Sequence, residues 1–275
     1  MTAVPTITLN SGVEIPQLGF GVFKVDPEQT ERIVTDALEV GYRHIDTAKA
    51  YDNEEGVGKA IAASSIDREE LFITTKLWNS DQGHQSALDA FDLSLAKLDL
   101  DYVDLYLIHW PSPHRGLFVE TWGALEQILE SGRAKAIGVS NFTPHLLQQV
   151  LDVATVVPAI NQIELHPYFQ QRESVAFNES HGIATEAWSP LGQGNLVDEQ
   201  AVTAIADAHG KSLAQVILRW HIQRGNVVIP KSNRRERMAE NLDIFDFELS
   251  AEELDIVSAL DRDGRLGSDP DTATF

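Results

Sequence analysis

The chain predicts an α/β fold, a (β/α)8 TIM barrel opened by a β-hairpin and carrying two helices beyond the usual eight. Three observations lead there. Short apolar runs that end in polar residues alternate with helical segments along most of the chain, the alternation yields eight strand-like runs, and 275 residues suit one such barrel. No stretch reads as a linker, so residues 1–275 are expected to form a single domain. A doubly wound open sheet also alternates strands and helices, but no Gly-x-Gly-x-x-Gly opens the first unit here.

The elements follow in order. Residues 6–9 and 14–16 flank the turn-rich Asn10-Ser11-Gly12 and predict the hairpin. Strands are predicted at 18–21, 44–46, 71–76, 102–109, 134–140, 159–164, 183–188 and 227–230. Runs such as 103–108 are nearly continuously apolar, as parallel strands covered on both faces require. Helices are predicted at 26–40, 53–63, 84–98, 118–130, 143–152, 172–181, 198–208, 212–223, 234–241 and 250–260. Asp26 before Pro27 supplies a capping acid and a first-turn proline, and Gly41 terminates the same helix. Residues 261–275 read as a polar tail.

Composition narrows the function classes. Lys and Arg number 21 against 42 Asp and Glu, and a net charge of −21 repels nucleic acid and anionic lipid at long range. No apolar run is long enough to cross a bilayer, and residues 1–10 lack the basic start and apolar stretch of a secretion signal. A cytoplasmic monomer is the expectation. Cysteine is absent, which excludes disulfides, thiolate nucleophiles and Cys-ligated metals. Against the acidic background, four of the seven residues from Lys231 to Arg237 are cationic. Taken alone, such a cluster is a solvated helix start.

In a (β/α)8 barrel the reactive groups stand at the C-terminal ends of the strands. The second strand ends in His44-Ile45-Asp46-Thr47 and leads to Tyr51, the third ends in Thr75-Lys76, and the fourth in His109-Trp110. An acid, a phenol, an amine and an imidazole therefore converge on one mouth. Taken singly, each has an ordinary structural explanation as an ion-pair partner or packing residue; what weighs for catalysis is their order on consecutive strand ends.

These residues resemble the tetrad of the aldo-keto reductase family: Asp46-Thr47-Ala48 with Tyr51, Lys76 after an Ile-Thr-Thr run, and Leu107-Ile108-His109-Trp110-Pro111. Further blocks match at residues 137–142, at 161–167, and from Ile229 through Arg237 to Glu240-Asn241, so the similarity runs from the hairpin to about residue 265. Gly21-Val22-Phe23-Lys24-Val25 and residues 188–194 bring the chain nearest the bacterial 2,5-diketo-D-gluconate reductases. The resemblance implies reduction of a small carbonyl compound, with methylglyoxal or 2,5-diketo-D-gluconate as examples, and no metal. Hydride goes to carbon and a proton to the developing oxyanion. Tyr51 is then the proton donor. A free phenol titrates near about 10, and the Lys76 ammonium is expected to lower that value. Asp46 would hold Lys76, and His109 would orient the carbonyl oxygen. A Schiff-base role for Lys76 leaves the other blocks unexplained. A cofactor-binding sensor or regulatory subunit on the same fold is the alternative from another class.

By the same resemblance the cofactor is NADPH. Ser140, Asn141 and Gln162 would bond the nicotinamide carboxamide, although Ser140 and Asn141 also suit loop capping. Trp188 would stack on the ring, or simply fill the core. Ser189, Leu191 and Gly192 lie in a small-residue segment that lets backbone approach the pyrophosphate. Lys231, Ser232 and Arg237 match positions that contact the 2′-phosphate, with Asn233 between them and Glu240 and Asn241 near adenine. Arg234 either stacks on adenine or is solvated. Phe23, Trp78 and Trp110 would wall the substrate pocket with Tyr51 and His109. Lys49 and Ala50 before Tyr51, and Asp52 where glycine commonly follows, depart from the family pattern. Lys49 is either an attraction for anionic substrates or points into water.

Overall fold

A computed structural model describes residues 4–275, so the first three residues of the stretch 1–10, in which no secretion signal is expected, lie outside the described part. The eight barrel strands are β3 (Phe20–Gly21), β4 (His44–Asp46), β5 (Phe72–Leu77), β6 (Val103–Ile108), β7 (Ala134–Ser140), β8 (Ile160–Glu164), β9 (Ala184–Trp188) and β10 (Val227–Val228). Each pairs in parallel with its neighbour in chain order, from β3 to β10. The ring closes through a parallel bridge between Leu18 and Val228, with the Gly19 amide donating to the Val228 carbonyl at 2.8 Å. The predicted runs 18–21 and 227–230 are therefore the two sides of the seam, although only two residues of each are paired strand.

Helices α1 (Pro27–Val40), α2 (Glu54–Ala63), α3 (His84–Leu98), α4 (Phe118–Glu130), α5 (Pro144–Leu151), α6 (Arg172–Ser180), α8 (Leu213–Gln223) and α9 (Arg235–Leu242) accompany the strands. Two are additional: α7 (Gln200–His209) precedes α8 in one connection, and α10 (Ala251–Ser258) follows the last barrel unit. Local chemistry sets their ends. The Asp26 side chain accepts from the Glu28 amide ahead of Pro27, Gly41 stops α1 at a φ of 126°, and Ser212 with Gln215 forms a capping box on α8. Ser250 and Glu253 repeat that box on α10.

The hairpin, β1 (Thr6–Thr8) with β2 (Glu14–Pro16), pairs antiparallel. Leu9 and Ile15 join Phe72, Leu105, Leu107, Ala136, Ile160 and Val227 in one apolar cluster. The hairpin thus plugs the end of the barrel where the strands begin. The larger core lies between the strands and the helical ring. The other end stays polar and open, and there the strand-end residues gather. The tail read as merely polar takes a defined course, and residues 266–268 and Phe275 reach that open end.

Close packing between helices constrains α2. A Cβ on Gly58 would stand 2.2 Å from the Leu98 carbonyl oxygen at the end of α3. Alanine gains about 1 kcal/mol of helix propensity over glycine, whereas overpacking against backbone costs about 1–3 kcal/mol. Gly58→Ala should therefore lower the free energy of urea unfolding; a higher denaturation midpoint would show that α2 moves aside freely.

Candidate active site

The open end of the barrel encloses a cavity of about 730 Å³. At its base the fully buried Lys76 donates from Nζ to both Asp46 oxygens, at 2.6 and 2.8 Å, and to the Thr47 carbonyl at 2.9 Å. Burial works against the ammonium, but the charge and hydrogen bonds of Asp46 more than offset it and hold the Lys76 pKa above its ordinary value. The Asp46 carboxylate also accepts from Gln162 Nε2 at 2.8 Å, which joins opposite sides of the barrel.

Tyr51 ends a single 3-10 turn, Lys49–Tyr51, whose Ala48 carbonyl accepts from the Tyr51 amide. The turn is braced from behind, where Thr47 Oγ1 donates to Asn53 Oδ1 at 2.8 Å and Asn53 Nδ2 to the Val22 carbonyl at 3.0 Å. Asp52 occupies the left-handed region, φ 53° and ψ 31°. This accounts for its departure from the family pattern, because the position suits glycine and is tolerated by aspartate. The Lys76 ammonium lies 5.2 Å from the Tyr51 ring centroid. One expectation needs correction. Burial pushes the Tyr51 phenol up to about 12, and the opposing pull of the Lys76 charge does not bring it below the free value.

His109 stands edge-on to Tyr51, ring centroids 5.5 Å apart, and burial followed by the Lys76 charge holds its pKa well below the usual range. It is a neutral imidazole at pH 7. The site therefore presents a protonated phenol and a neutral imidazole over a buried ion pair.

One wall comes from β7, β8 and β9. Ser140 Oγ donates to the Gln162 carbonyl at 2.8 Å, Asn141 Nδ2 to the His109 carbonyl at 2.9 Å, and Trp188 Nε1 to Asn141 Oδ1 at 2.8 Å. All five residues line the cavity. The opposite wall is aromatic, with Phe23, Trp78 and Trp110 as expected. Phe275 adds a ring that sequence reasoning missed, stacked on Trp78 at 6.0 Å and edge-on to Trp110 at 5.2 Å. Its segment is anchored farther back: the Leu266 and Gly267 amides donate to the buried Glu164 carboxylate at 2.6 and 2.8 Å. A Cβ on Gly267 would lie 2.6 Å from Trp188 Cη2, so only glycine passes this close to the indole.

The other predicted contacts divide. Ser189, Leu191 and Lys231 line the cavity, with Pro190 and Gln193 of the same small-residue segment 189–194; Lys24 joins them and was not foreseen as a contact. Gly192 does not; at φ 59° it shapes the turn behind them. Ser232, Asn233, Arg234 and Arg237, around the start of α9, and Glu240 and Asn241, in its last turn, also lie beyond the lining. Ser232 Oγ accepts from the Arg234 amide at 3.1 Å, while Asn233, Arg234 and Arg237 are exposed. Within the basic cluster Arg235 is committed to Asp36 and Glu39 of α1. Lys49 is the second correction. It is absent from the lining, and its ammonium bonds the Asp81 carboxylate, so its charge is matched within the protein.

A parallel barrel with an acid, a phenol, an amine and an imidazole at one mouth defines a carbonyl-reductase type of site. Residues 17–262 match the Aldo/keto reductase family, and the chain belongs to it. It is 52% identical to the glyoxal reductase of Bacillus subtilis (strain 168), over 98% of both chains. It is 51% identical to methylglyoxal reductase DkgA of Escherichia coli (strain K12), again over 98% of each. A mutant of Gox0644 solved in complex with NADPH superposes with a TM-score of 0.96 at 48% identity, over 100% of both chains.

The left-handed turn after Tyr51 yields a test. Asp52→Val should cost about 1–2 kcal/mol of stability, because a β-branched residue is poorly tolerated there, whereas Asp52→Gly should change stability by less than about 0.5 kcal/mol. Equal effects in thermal unfolding would mean that the turn relaxes.

Proposed function

We propose that this aldo/keto reductase uses NADPH to reduce small aldehydes and ketones to alcohols, with Tyr51 as the proton donor. Glyoxal, methylglyoxal and 2,5-diketo-D-gluconate are the first substrates to test. The observation that carries the reading is a protonated phenol at the cavity beside the buried Lys76–Asp46 pair. When bound, NADPH supplies the hydride. The residues present suit it: Ser140, Asn141 and Gln162 offer polar atoms for its carboxamide, and Trp188 offers a flat face for its ring. Lys24 and Lys231 bring two ammonium groups to the same cavity for phosphate oxygens. Arg234 and Arg237, exposed at the start of α9, would receive the 2′-phosphate end.

For the chain's own groups the chemistry reduces to holding and moving one proton. His109, kept neutral, donates a hydrogen bond to the carbonyl oxygen and fixes it beside Tyr51. As negative charge grows on that oxygen, the phenolic proton passes to it. Lys76 favours the transient phenolate, and Asp46 keeps Lys76 charged. A phenol raised to about 12 stays protonated throughout the neutral range, which keeps the donor loaded. The aromatic wall of Phe23, Trp78, Trp110 and Phe275 suits small, flat carbonyl compounds.

Tyr51→Phe should lower kcat for methylglyoxal, a nitrobenzaldehyde and 2,5-diketo-D-gluconate by at least about 100-fold, while NADPH affinity changes little. Wild-type protein that binds NADPH tightly yet turns over none of a broad carbonyl panel would replace the reductase reading with a sensor. Arg237→Ala should weaken NADPH by about tenfold and leave NADH nearly unaffected. Equal losses in fluorescence titrations would remove Arg237 from the 2′-phosphate site.

A further inference from the structure

Behind the cavity wall lies a second carboxylate that the reaction above does not use. Glu186, in the middle of β9, is fully buried, and its Oε2 accepts from Gln162 Nε2 at 2.8 Å. The same Nε2 donates to Asp46 Oδ2 at 2.8 Å. Both hydrogens of the Gln162 amide are thus taken up by side-chain oxygens, one of Asp46 and one of Glu186. An amide oxygen placed there would face the acceptor-only Asp46 carboxylate, so the nitrogen end is fixed inward and Oε1 is left for the cavity that Gln162 lines. Unlike Asp46, Glu186 has no cation in hydrogen-bond contact. His44 Nε2 of β4 is 3.7 Å from its Oε1, and burial holds the His44 pKa down at about 3, so that ring is neutral. From β5 the Lys76 ammonium is already bonded to Asp46 and Thr47. On the β10 side the residue in register is Val227.

We propose that Glu186 is a positioning residue of the cofactor pocket: with Asp46 it locks the Gln162 carboxamide so that Oε1 accepts from the amide N–H of the bound nicotinamide. The inference rests on the cofactor reading above and deepens it. A buried carboxylate without a counter-ion keeps its proton, and burial, reinforced by the Asp46 charge, raises Glu186 to about 8. At pH 7 it is the neutral acid, accepting through Oε2. Above about pH 8 it adds a second negative charge beside Asp46. That charge favours the cationic nicotinamide of NADP+ over the neutral ring of NADPH.

The test measures Kd for NADPH and NADP+ by tryptophan fluorescence from pH 6 to 9.5 in the wild type, Glu186→Gln and Glu186→Leu. Taking the ratio of the two constants cancels the titration of the 2′-phosphate, which both nucleotides carry. In the wild type the ratio should shift toward NADP+ as pH rises through about 8. Glutamine mimics the neutral acid, so Glu186→Gln should bind NADPH within about threefold of wild type at pH 7 and show a flat ratio. Leucine removes the acceptor and should weaken NADPH by about tenfold, the loss of roughly one hydrogen bond. A wild-type ratio that is flat, or a Glu186→Gln ratio that still shifts, overturns the proposal, as does a folded Glu186→Leu with wild-type affinity. Should Glu186→Leu fail to fold, the glutamine profile decides. Wild-type protein that binds neither nucleotide removes the cofactor reading and this inference with it; tight wild-type binding with indistinguishable variants removes this inference alone.

Discussion

An ammonium with no exposure to water needs an opposite charge in contact and acceptors for its remaining protons. Lys76 has both, and much of the mouth is arranged by that requirement. Its three bonds go to the two Asp46 oxygens and the Thr47 carbonyl, which ties β5 to the end of β4. Asp46 then has an oxygen available for Gln162 across the barrel, and Gln162 has a hydrogen left for Glu186. A chain of charge and polarity thus links four strands beneath the cavity. Breaking it at one point would leave a buried group unmatched at the next, so the floor is expected to be stiff.

Above that floor the polar wall and the aromatic wall are built by different means. Ser140, Asn141 and Trp188 are strand-end residues bonded to one another or to neighbouring carbonyls, so the strands themselves hold them. The aromatic wall is assembled from loops after β3, β5 and β6 and from the end of the tail, and its rings lean on each other: Phe23 on Tyr51, Trp78 on His109, Phe275 on Trp78. A rigid face opposite an exchangeable one suits a site whose cofactor is constant and whose substrates differ.

Much of this was legible in the sequence because a barrel strand announces its own end. Where 44–46, 71–76 and 102–109 turn from apolar to polar, Asp46, Lys76 and His109 mark the mouth, and Asp26-Pro27 and Gly41 bound the first helix through local chemistry alone. What stayed hidden depends on partners distant in the chain. Lys49 looks available for substrate until Asp81, 32 residues on, is seen to bind it. The net direction of the Tyr51 pKa depends on how far neighbouring groups exclude water, which no motif records. Glu186 had a readable signal that went unused: it shares strand parity with Trp188, which lines the cavity, and so belongs to the same side of β9.

The tail is held to the barrel in a way that bears on how such a site diversifies. Glu164 grips Leu266 and Gly267 by their main-chain amides, and of the two only Gly267 is restricted in size, by Trp188. These two bonds do not depend on the other side chains of the segment, whereas Arg265 over Phe169 and Asp271 bonded to Thr143 hold it through side chains. Side chains at the rim such as Leu266 and Phe275 can therefore change without touching the two main-chain bonds that hold the strap. Variation in substrate preference would accumulate there first, while the hydrogen-bonded floor stays fixed.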